Sequence, residues 1–313
     1  MKHAHFDCVS GVAGDMTLAA LLSAGWPLSE LHALPARLGL AGVEIRVTNT
    51  RRGPFAATHV EVRISETQPH RHLHHIEAIL DKADLPQAVR ERAKSVFRRL
   101  AEAEAEVHGS TVAKVHFHEV GAVDAIVDIT GALLGLAALE VASVSASALP
   151  LGRGFVDSQH GRIPVPAPAT ALLLRGAPVY GGPVEAELVT PTGAALLMTL
   201  ASSWGDPPAF RLDAVGTGAG TREFASHPNI LRLLIGERTA VGTSERTVAV
   251  LETAVDDLNP QFMAAALQRL LALGALDAMV APVTMKKGRS GLWLVVVCEP
   301  ADARRLAEAV LRD

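Results

Sequence analysis

One stretch constrains this chain more than any other: Gly121 to Glu140 is apolar on nearly every side except at Asp124 and Asp128. Its longest apolar run, Ile129 to Leu139, is 11 residues long and is bounded by Asp128 and Glu140. A membrane-crossing helix needs roughly 20 such residues, so this one is expected inside a globular core. Asp124 and Asp128 are four apart and share a face, which gives the buried helix one polar stripe. At the amino terminus Asp7 stands where a secretory leader would have its apolar run, so a cytoplasmic location without membrane association is expected.

With 313 residues the chain exceeds the usual domain of roughly 100 to 200, and two domains are expected. A composition of 49% hydrophobic and 20% charged residues fits a globular protein rather than a disordered one. The formal charge of -4 leaves no basic stripe for a phosphodiester backbone, so small ligands are expected rather than nucleic acid. Only Cys8 and Cys298 are present, which excludes a disulfide framework and a CxxC zinc site. Any metal must then rest on histidine and carboxylate.

Lys2 to Cys8 reads as a strand, followed by a Ser-Gly-Val-Ala-Gly turn and a helix from Asp15 to about Ala24. A second helix spans Ser29 to Leu38. Gly42 to Thr48 and Thr58 to Ile64 alternate with period two, as half-buried antiparallel strands do. Val89, Ala93, Val96, Phe97, Leu100, Ala103 and Val107 follow helical spacing. After Pro150 the texture turns Gly- and Pro-rich, with short helices near Ala169 to Leu174 and Pro191 to Leu200, the latter capped by Thr190. Gly236 to Arg246 is polar and aperiodic, which places the boundary between a mixed α/β (α/β or α+β) domain at residues 1–240 and a second domain at 247–313. The second reads strand, helix, strand, strand, helix, a partial ferredoxin-like βαββα(β) unit lacking its last strand.

Eight of the 13 histidines fall between His59 and His118. Pro69 to Ile76 places His70, His72 and His74 on one face if extended, or His70/His74 and His72/His75 as neighbours if helical. Neutral imidazole suits Ni, Zn, Cu and Fe(II), and either geometry can chelate. The competing reading is a solvated, pH-sensitive histidine patch. In Val115 to Val120 strand alternation puts His116 and His118 on one face and Glu119 on the other, unless Glu119 begins the next helix and all three converge. Asp124 and Asp128 would then orient the imidazoles, or serve only as a helix cap and a buried polar pair.

Ser10 to Met16 sits between strand and helix, where free backbone N–H groups can hold a phosphate, although its glycines also serve simple turn formation. Asp15 beside a phosphate would require a metal or a proton. Gly216 to Arg222 reads as a flexible turn that offers Arg222 as a carboxylate or phosphate clamp. In the second domain Lys286, Lys287 and Arg289 surround a glycine between two strands, as a triphosphate loop would, and Asp256 and Asp257 are placed to chelate Mg²⁺ or Mn²⁺.

Six of these segments also occur together in one known family. Phe6 to Met16, His70 to Leu73, Val115 to Asp124, Pro164 to Ala169, Thr190 to Ala195 and Met285 to Arg289 together resemble the LarC family, the nickel-insertion proteins of the lactate racemase cofactor pathway. The resemblance runs from Met1 to Asp313. It implies a CTP-dependent cyclometallase, of the lyase class, that inserts Ni²⁺ into pyridinium-3,5-bisthiocarboxylic acid mononucleotide to give the nickel-pincer nucleotide. By position, nickel falls on His70, His72, His74 and His75 with His116 and His118. CTP falls near Lys286, Lys287 and Arg289, with a divalent ion.

Forming a carbon–nickel bond releases a ring proton, so a base is needed; Glu119, a neutral histidine and Asp15 are the candidates. A lactate racemase-type acceptor enzyme and a homo-oligomer are expected partners. Family members continue beyond this end, so a complementary carboxy-terminal fragment is expected to complete the second domain. Two other functions fit the same residues: a passive nickel metallochaperone or store, and a metal-dependent phosphohydrolase using Asp15, Glu119, Asp124 and Asp128.

Overall fold

In the computed structural model the described residues are 1–65, 71–115, 117, 123–158, 161–225, 227–238, 247–256 and 259–312. The chain divides into two compact units, Met1–Thr239 and Ala240–Asp313. In chain order the first unit contains β1 (Lys2–Asp7), α1 (Gly14–Ser23), α2 (Leu28–Arg37), β2 (Val43–Arg52), β3 (Phe55–Ile64), α3 (Leu73–Lys82), α4 (Gln87–Val107) and α5 (Val123–Ala138). It continues with β4 (Val141–Ala146), β5 (Leu149–Pro150), β6 (Phe155–Ser158), β7 (Gly161–Pro164), α6 (Pro168–Leu173), β8 (Val179–Tyr180), α7 (Pro191–Leu200), β9 (Ala201–Trp204), β10 (Phe210–Ala219) and β11 (Ile230–Arg238).

Among the described residues a seven-stranded mixed sheet runs in the order β2-β3-β10-β11-β1-β4-β9. Strand β1 lies inside it, antiparallel to β11 and parallel to β4. Its alternation is used on both faces: Ala4 and Phe6 enter the main core, while the buried His3 and His5 point the other way. Both imidazoles are satisfied there. His3 bonds Ser143 and Ser145 at 2.8 Å each, and His5 bonds Ser145 at 2.8 Å.

Helix α5 is the buried helix foreseen from its composition: Ile126, Val127, Ile129, Ala132, Leu133 and Leu136 all belong to the core. Helix α1 packs between it and the sheet, over β3 and β10. Two glycines make that approach possible. A Cβ on Gly216 would collide with the Ala20 carbonyl oxygen, and one on Gly218 would stand 2.8 Å from the Ala20 nitrogen. The Gly216 to Arg222 stretch is therefore not a flexible turn, because its first four residues are strand β10, flattened to admit a helix. Likewise Gly236 to Arg238 is the end of β11 rather than the start of a linker.

Helix α4 buries Val89, Ala93, Val96, Phe97 and Leu100, as the spacing required, and α7 starts with Thr190 Oγ1 accepting the Gly193 N–H at 3.2 Å. The second unit contains β12 (Ala249–Val255), α8 (Pro260–Ala272), β13 (Asp277–Thr284), β14 (Ser290–Cys298) and α9 (Ala303–Val310). Its three strands are antiparallel in the order β12-β14-β13 around a small core of Met263, Leu270, Leu294, Val296, Cys298 and Leu306. Both cysteines are buried and free, and no helix among the described residues is long and apolar enough to cross a membrane.

Candidate functional site

The amino termini of α1, α5 and α7 meet at a cavity of about 350 Å³. Asp15 sits in the first turn of α1, Asp124 in the first turn of α5, and Asp128 one turn further along α5. All three line the cavity, with Thr190 and Thr192 from the start of α7. The polar stripe expected on the buried helix thus faces a shared space. Glu61 of β3, Glu187 and Thr221 complete its polar wall.

Backbone geometry determines how Asp128 reaches this place. A Cβ on Gly14 would stand 2.6 Å from the Asp128 Cβ and closer still to its Oδ2, so the carboxyl occupies the space a side chain at position 14 would fill. Asp128 lines the cavity and is half-buried, while its Oδ1 is enclosed and has no hydrogen-bond partner among the described residues. Burial holds this carboxyl well above the ordinary carboxylate range, and the charges of Asp15 and Asp124 push it the same way.

Burial also raises Asp15, against the Met16 N–H, the charge of His59 and the Thr221 hydroxyl, which donates to Asp15 Oδ2 at 3.3 Å. Asp124 is raised chiefly by burial, opposed by the Ala125 N–H donating to its Oδ1 at 2.9 Å. All three carboxyls thus hold a proton more readily than an exposed carboxylate does.

The histidine run lies at the start of α3. His72 is the N-cap residue, so the segment is helical from Leu73, and Leu73, Ile76 and Leu80 are buried while His74 and His75 are exposed. From Leu73 onward the helical alternative is realised: its His72/His75 pair is present, and its His70/His74 pair lies outside the described residues. The ring centroids lie 5.4 Å apart for His72 and His74, 5.6 Å for His72 and His75, and 3.9 Å for His74 and His75.

Hydrogen bonding ties both rings to the helix start. The His72 ring accepts the His75 backbone N–H as one half of a capping box, and its Nδ1 lies 2.8 Å from the Val115 carbonyl oxygen. His75 Nδ1 accepts the His72 backbone N–H at 3.2 Å, so its own proton resides on Nε2. Desolvation and its neighbours His74, His72 and Arg71 all lower the affinity of His75 for a second proton.

His70, His116, His118 and Glu119 lie outside the described residues, as does Asp257. Among the described residues no three His, Cys, Asp or Glu side chains converge as a metal site. What the fold does bring together is the chain around them. Phe117 is buried and forms a strand bridge with Arg71, beside His72, and α5 begins six residues later at Val123. Phe117 therefore stands beside the histidine end of α3 and six positions before the start of α5.

Other sequence candidates separate. Gly11 and Gly14 serve close packing, against Leu188 and Asp128. Arg222 does not line the cavity; its carbonyl accepts from Asn229 at 2.8 Å, and its neighbour Thr221 is the residue that reaches Asp15. Thr221, Glu61 and Glu187 were not foreseen. Position 61 lies in a strand whose alternation was legible, whereas no local pattern marks position 187.

In the second unit Lys286 to Gly288 form one 3-10 turn, closed by the Met285 N–H donating to the Arg289 carbonyl at 2.7 Å. Lys287 adopts φ +61°, in the left-handed region, and Lys286, Lys287 and Arg289 are exposed. Asp256, just past β12, stands at the same end of the sheet, with Arg289 Nη1 3.5 Å from its Oδ2. The basic loop and its carboxylate are adjacent.

A family model described as nickel insertion protein matches residues 4–313. A relative from Geotalea daltonii is 47% identical over 315 residues, covering 100% of this chain and 80% of its own length. One from Geobacter sp. strain M21 is 48% identical over 314 residues, covering 100% and 81%. Both are named for nickel insertion. The solved structure of LarC2, the C-terminal domain of a cyclometallase involved in the synthesis of the NPN cofactor of lactate racemase, is 28% identical over 21% of this chain and 48% of that one; its TM-score of 0.20 is too low for any comparison of shape. Matched along nearly its whole length, this chain belongs to the nickel insertion protein family, the LarC family whose motifs it resembles.

Proposed function

We propose that this chain catalyses CTP-dependent insertion of nickel into pyridinium-3,5-bisthiocarboxylic acid mononucleotide, acting as a cyclometallase in the cytoplasm. The observation that carries this reading is that the first unit contains both an imidazole cluster at the start of α3 and a carboxyl-lined cavity at the start of α5, with Phe117, bridged to Arg71, only six positions before Val123. Nickel is the cargo. Imidazole nitrogens hold Ni²⁺ as borderline ligands, and two substrate sulfurs, being softer, can take it from them. His70, His72, His74 and His75, with His116 and His118, are the assigned donors.

The chemistry is a C–H to C–Ni exchange: the ring carbon gives up its proton, its electron pair forms the bond to nickel, and a carboxylate takes the proton. Asp15 is the assigned acceptor within the described residues, with Glu119 the alternative; its buried position makes it a stronger base than an ordinary aspartate. In the second unit Lys286, Lys287 and Arg289 would hold the CTP phosphates, and Asp256 with Asp257 a Mg²⁺ or Mn²⁺ ion. Bound CTP would supply a cleavable triphosphate. A strand from a complementary carboxy-terminal fragment would pair along β12, which among the described residues pairs only with β14. The product would pass to a lactate racemase-type enzyme, and the working form would be a homo-oligomer.

The test is to incubate the chain with Ni²⁺, the precursor, CTP and Mn²⁺, and to follow the nucleotide by mass spectrometry. Insertion adds one nickel and removes ring hydrogen. A store would bind Ni²⁺ and leave the precursor unchanged; a phosphohydrolase would cleave nucleotide with no precursor present.

A further inference from the structure

The connection from β10 to β11 opens with Gly220, Thr221 and Arg222, of which the last two are exposed. Exposed loop residues are ordinarily held loosely. Here the chain is tied down on both sides of Thr221. Arg52, at the end of β2, donates from Nε and Nη2 to the Gly220 carbonyl at 3.0 and 2.7 Å. The buried Asn229 accepts the Gly220 N–H on its backbone carbonyl at 3.0 Å and donates from Nδ2 to the Arg222 carbonyl at 2.8 Å. A Cβ on Gly220 would stand 2.8 Å from Asn229 Cγ, so position 220 packs directly on the side chain that ties down position 222. A guanidinium and a buried amide both give up solvation and freedom to close this loop. Their joint effect is to fix the one side chain between them.

That side chain meets two titratable groups. The Thr221 hydroxyl donates to Asp15 Oδ2 at 3.3 Å, and its oxygen lies 3.4 Å from His59 Nε2, a nitrogen able to donate to it. Asp15 Oδ1 is held separately by the Met16 N–H at 2.8 Å. One carboxylate oxygen is therefore oriented by the start of α1 and the other by the loop. Among the other charged residues lining the cavity, Asp124, Asp128 and Glu187 share the sign of Asp15, and Glu61 is paired with Arg63 at 2.9 Å. Ionised carboxylates have no donor to offer Asp15, whereas Thr221 does. The hydroxyl and the charge of His59 both favour the ionised form of Asp15 against the burial that opposes it.

We infer that the locked 220–222 loop is a positioning device for Asp15: it sets the Thr221 hydroxyl, with His59 behind it, against Oδ2 and so fixes the orientation and the charge of that carboxylate. The inference rests on Asp15 as the proton acceptor proposed above, and it adds Thr221, Arg52 and Asn229 as positioning residues. A base that is to accept a ring proton must meet the substrate ionised and correctly turned. Neither condition follows from burial beside further carboxyls.

Aspartate labelled with ¹³C at the side-chain carboxyl, incorporated into the full 313-residue chain, reports the protonation of Asp15 by NMR, its signal being the one lost in Asp15→Asn. In Thr221→Val, and in Arg52→Ala, which frees the loop without touching Asp15, the titration midpoint is expected to move upward. In Thr221→Ser, which keeps the hydroxyl, it should stay at the parent value. In nickel insertion Thr221→Val is expected to lower kcat about tenfold with KM within about twofold, and Thr221→Ser to retain most of the rate. An unchanged midpoint in folded Thr221→Val or Arg52→Ala overturns the inference. An equal shift in Thr221→Ser overturns it too, because a general loosening of the fold would not depend on the hydroxyl. The two levels separate. If the parent chain inserts no nickel but the Asp15 midpoint moves as expected, the proposed function fails and the positioning stands. If the parent inserts nickel and Thr221→Val matches it in both rate and midpoint, the positioning fails and the function stands.

Discussion

Replacing Gly14 by alanine tests the cavity's construction directly. A Cβ there would stand 2.6 Å from the Asp128 Cβ and 2.7 Å from its Cγ, against an optimum of roughly 3.5 to 4.0 Å for carbon pairs. One helix must therefore yield by about 1 Å, and overpacking of that kind costs about 1 to 3 kcal/mol. Working against this, a Gly→Ala change at an ordinary φ restricts the unfolded chain and stabilises by about 0.4 to 1 kcal/mol. The net expectation is a loss of about 1 to 2 kcal/mol. In a unit the size of Met1–Thr239 each kcal/mol shifts Tm by about 2 to 4 °C, so a fall of about 2 to 8 °C is expected by calorimetry. Combining the change with Asp128→Gly should recover most of the clash, giving a coupling of at least about 0.5 kcal/mol between the two sites. A Tm equal to or above that of the parent chain would refute the packing of Asp128 against the start of α1.

Removing Asp128's charge should act through pH. Its folded-state proton affinity is raised, so the stability linked to that proton is complete below the ordinary carboxylate range and is lost as pH rises through the folded value. Asp128→Asn should therefore gain stability relative to the parent as pH goes from about 3.5 to 8, each unit of difference being worth about 1.4 kcal/mol; a gap that stays constant with pH refutes this. Substituting His74 should weaken Ni²⁺ binding more than substituting His75, by roughly tenfold in calorimetry at pH 7.5, because the His75 ring is engaged in the capping box at the start of α3. For both the parent and His75→Ala, Ni²⁺ affinity should fall below about pH 6 as imidazoles protonate, and a flat profile from pH 5 to 8 would exclude imidazole ligands. Arg289→Ala should weaken CTP binding by about three- to tenfold, a modest effect because the guanidinium is exposed and shared with Asp256; unchanged affinity places CTP elsewhere.

Much of this molecule was determined locally. Periodicity placed α4 and α5, Thr190 and Pro191 marked the start of α7, and the strand and helix order of the second unit followed from its alternating texture, because each signal depends on residues within a turn or two. The resemblance carried by six short motifs led to the family. Tertiary structure decided the rest. Gly216 and Gly218 looked like a loop, since glycine is ambiguous until the helix that needs the space is seen lying on it. The histidines were legible as a cluster, but the contact of the His72 ring with the Val115 carbonyl, 43 positions away, was not. Asp15 and Asp128 are 113 positions apart, and nothing local pairs them. Their proximity, and the burial that raises the proton affinity of both, exist only because α1 and α5 pack against each other and direct both starts toward the same cavity.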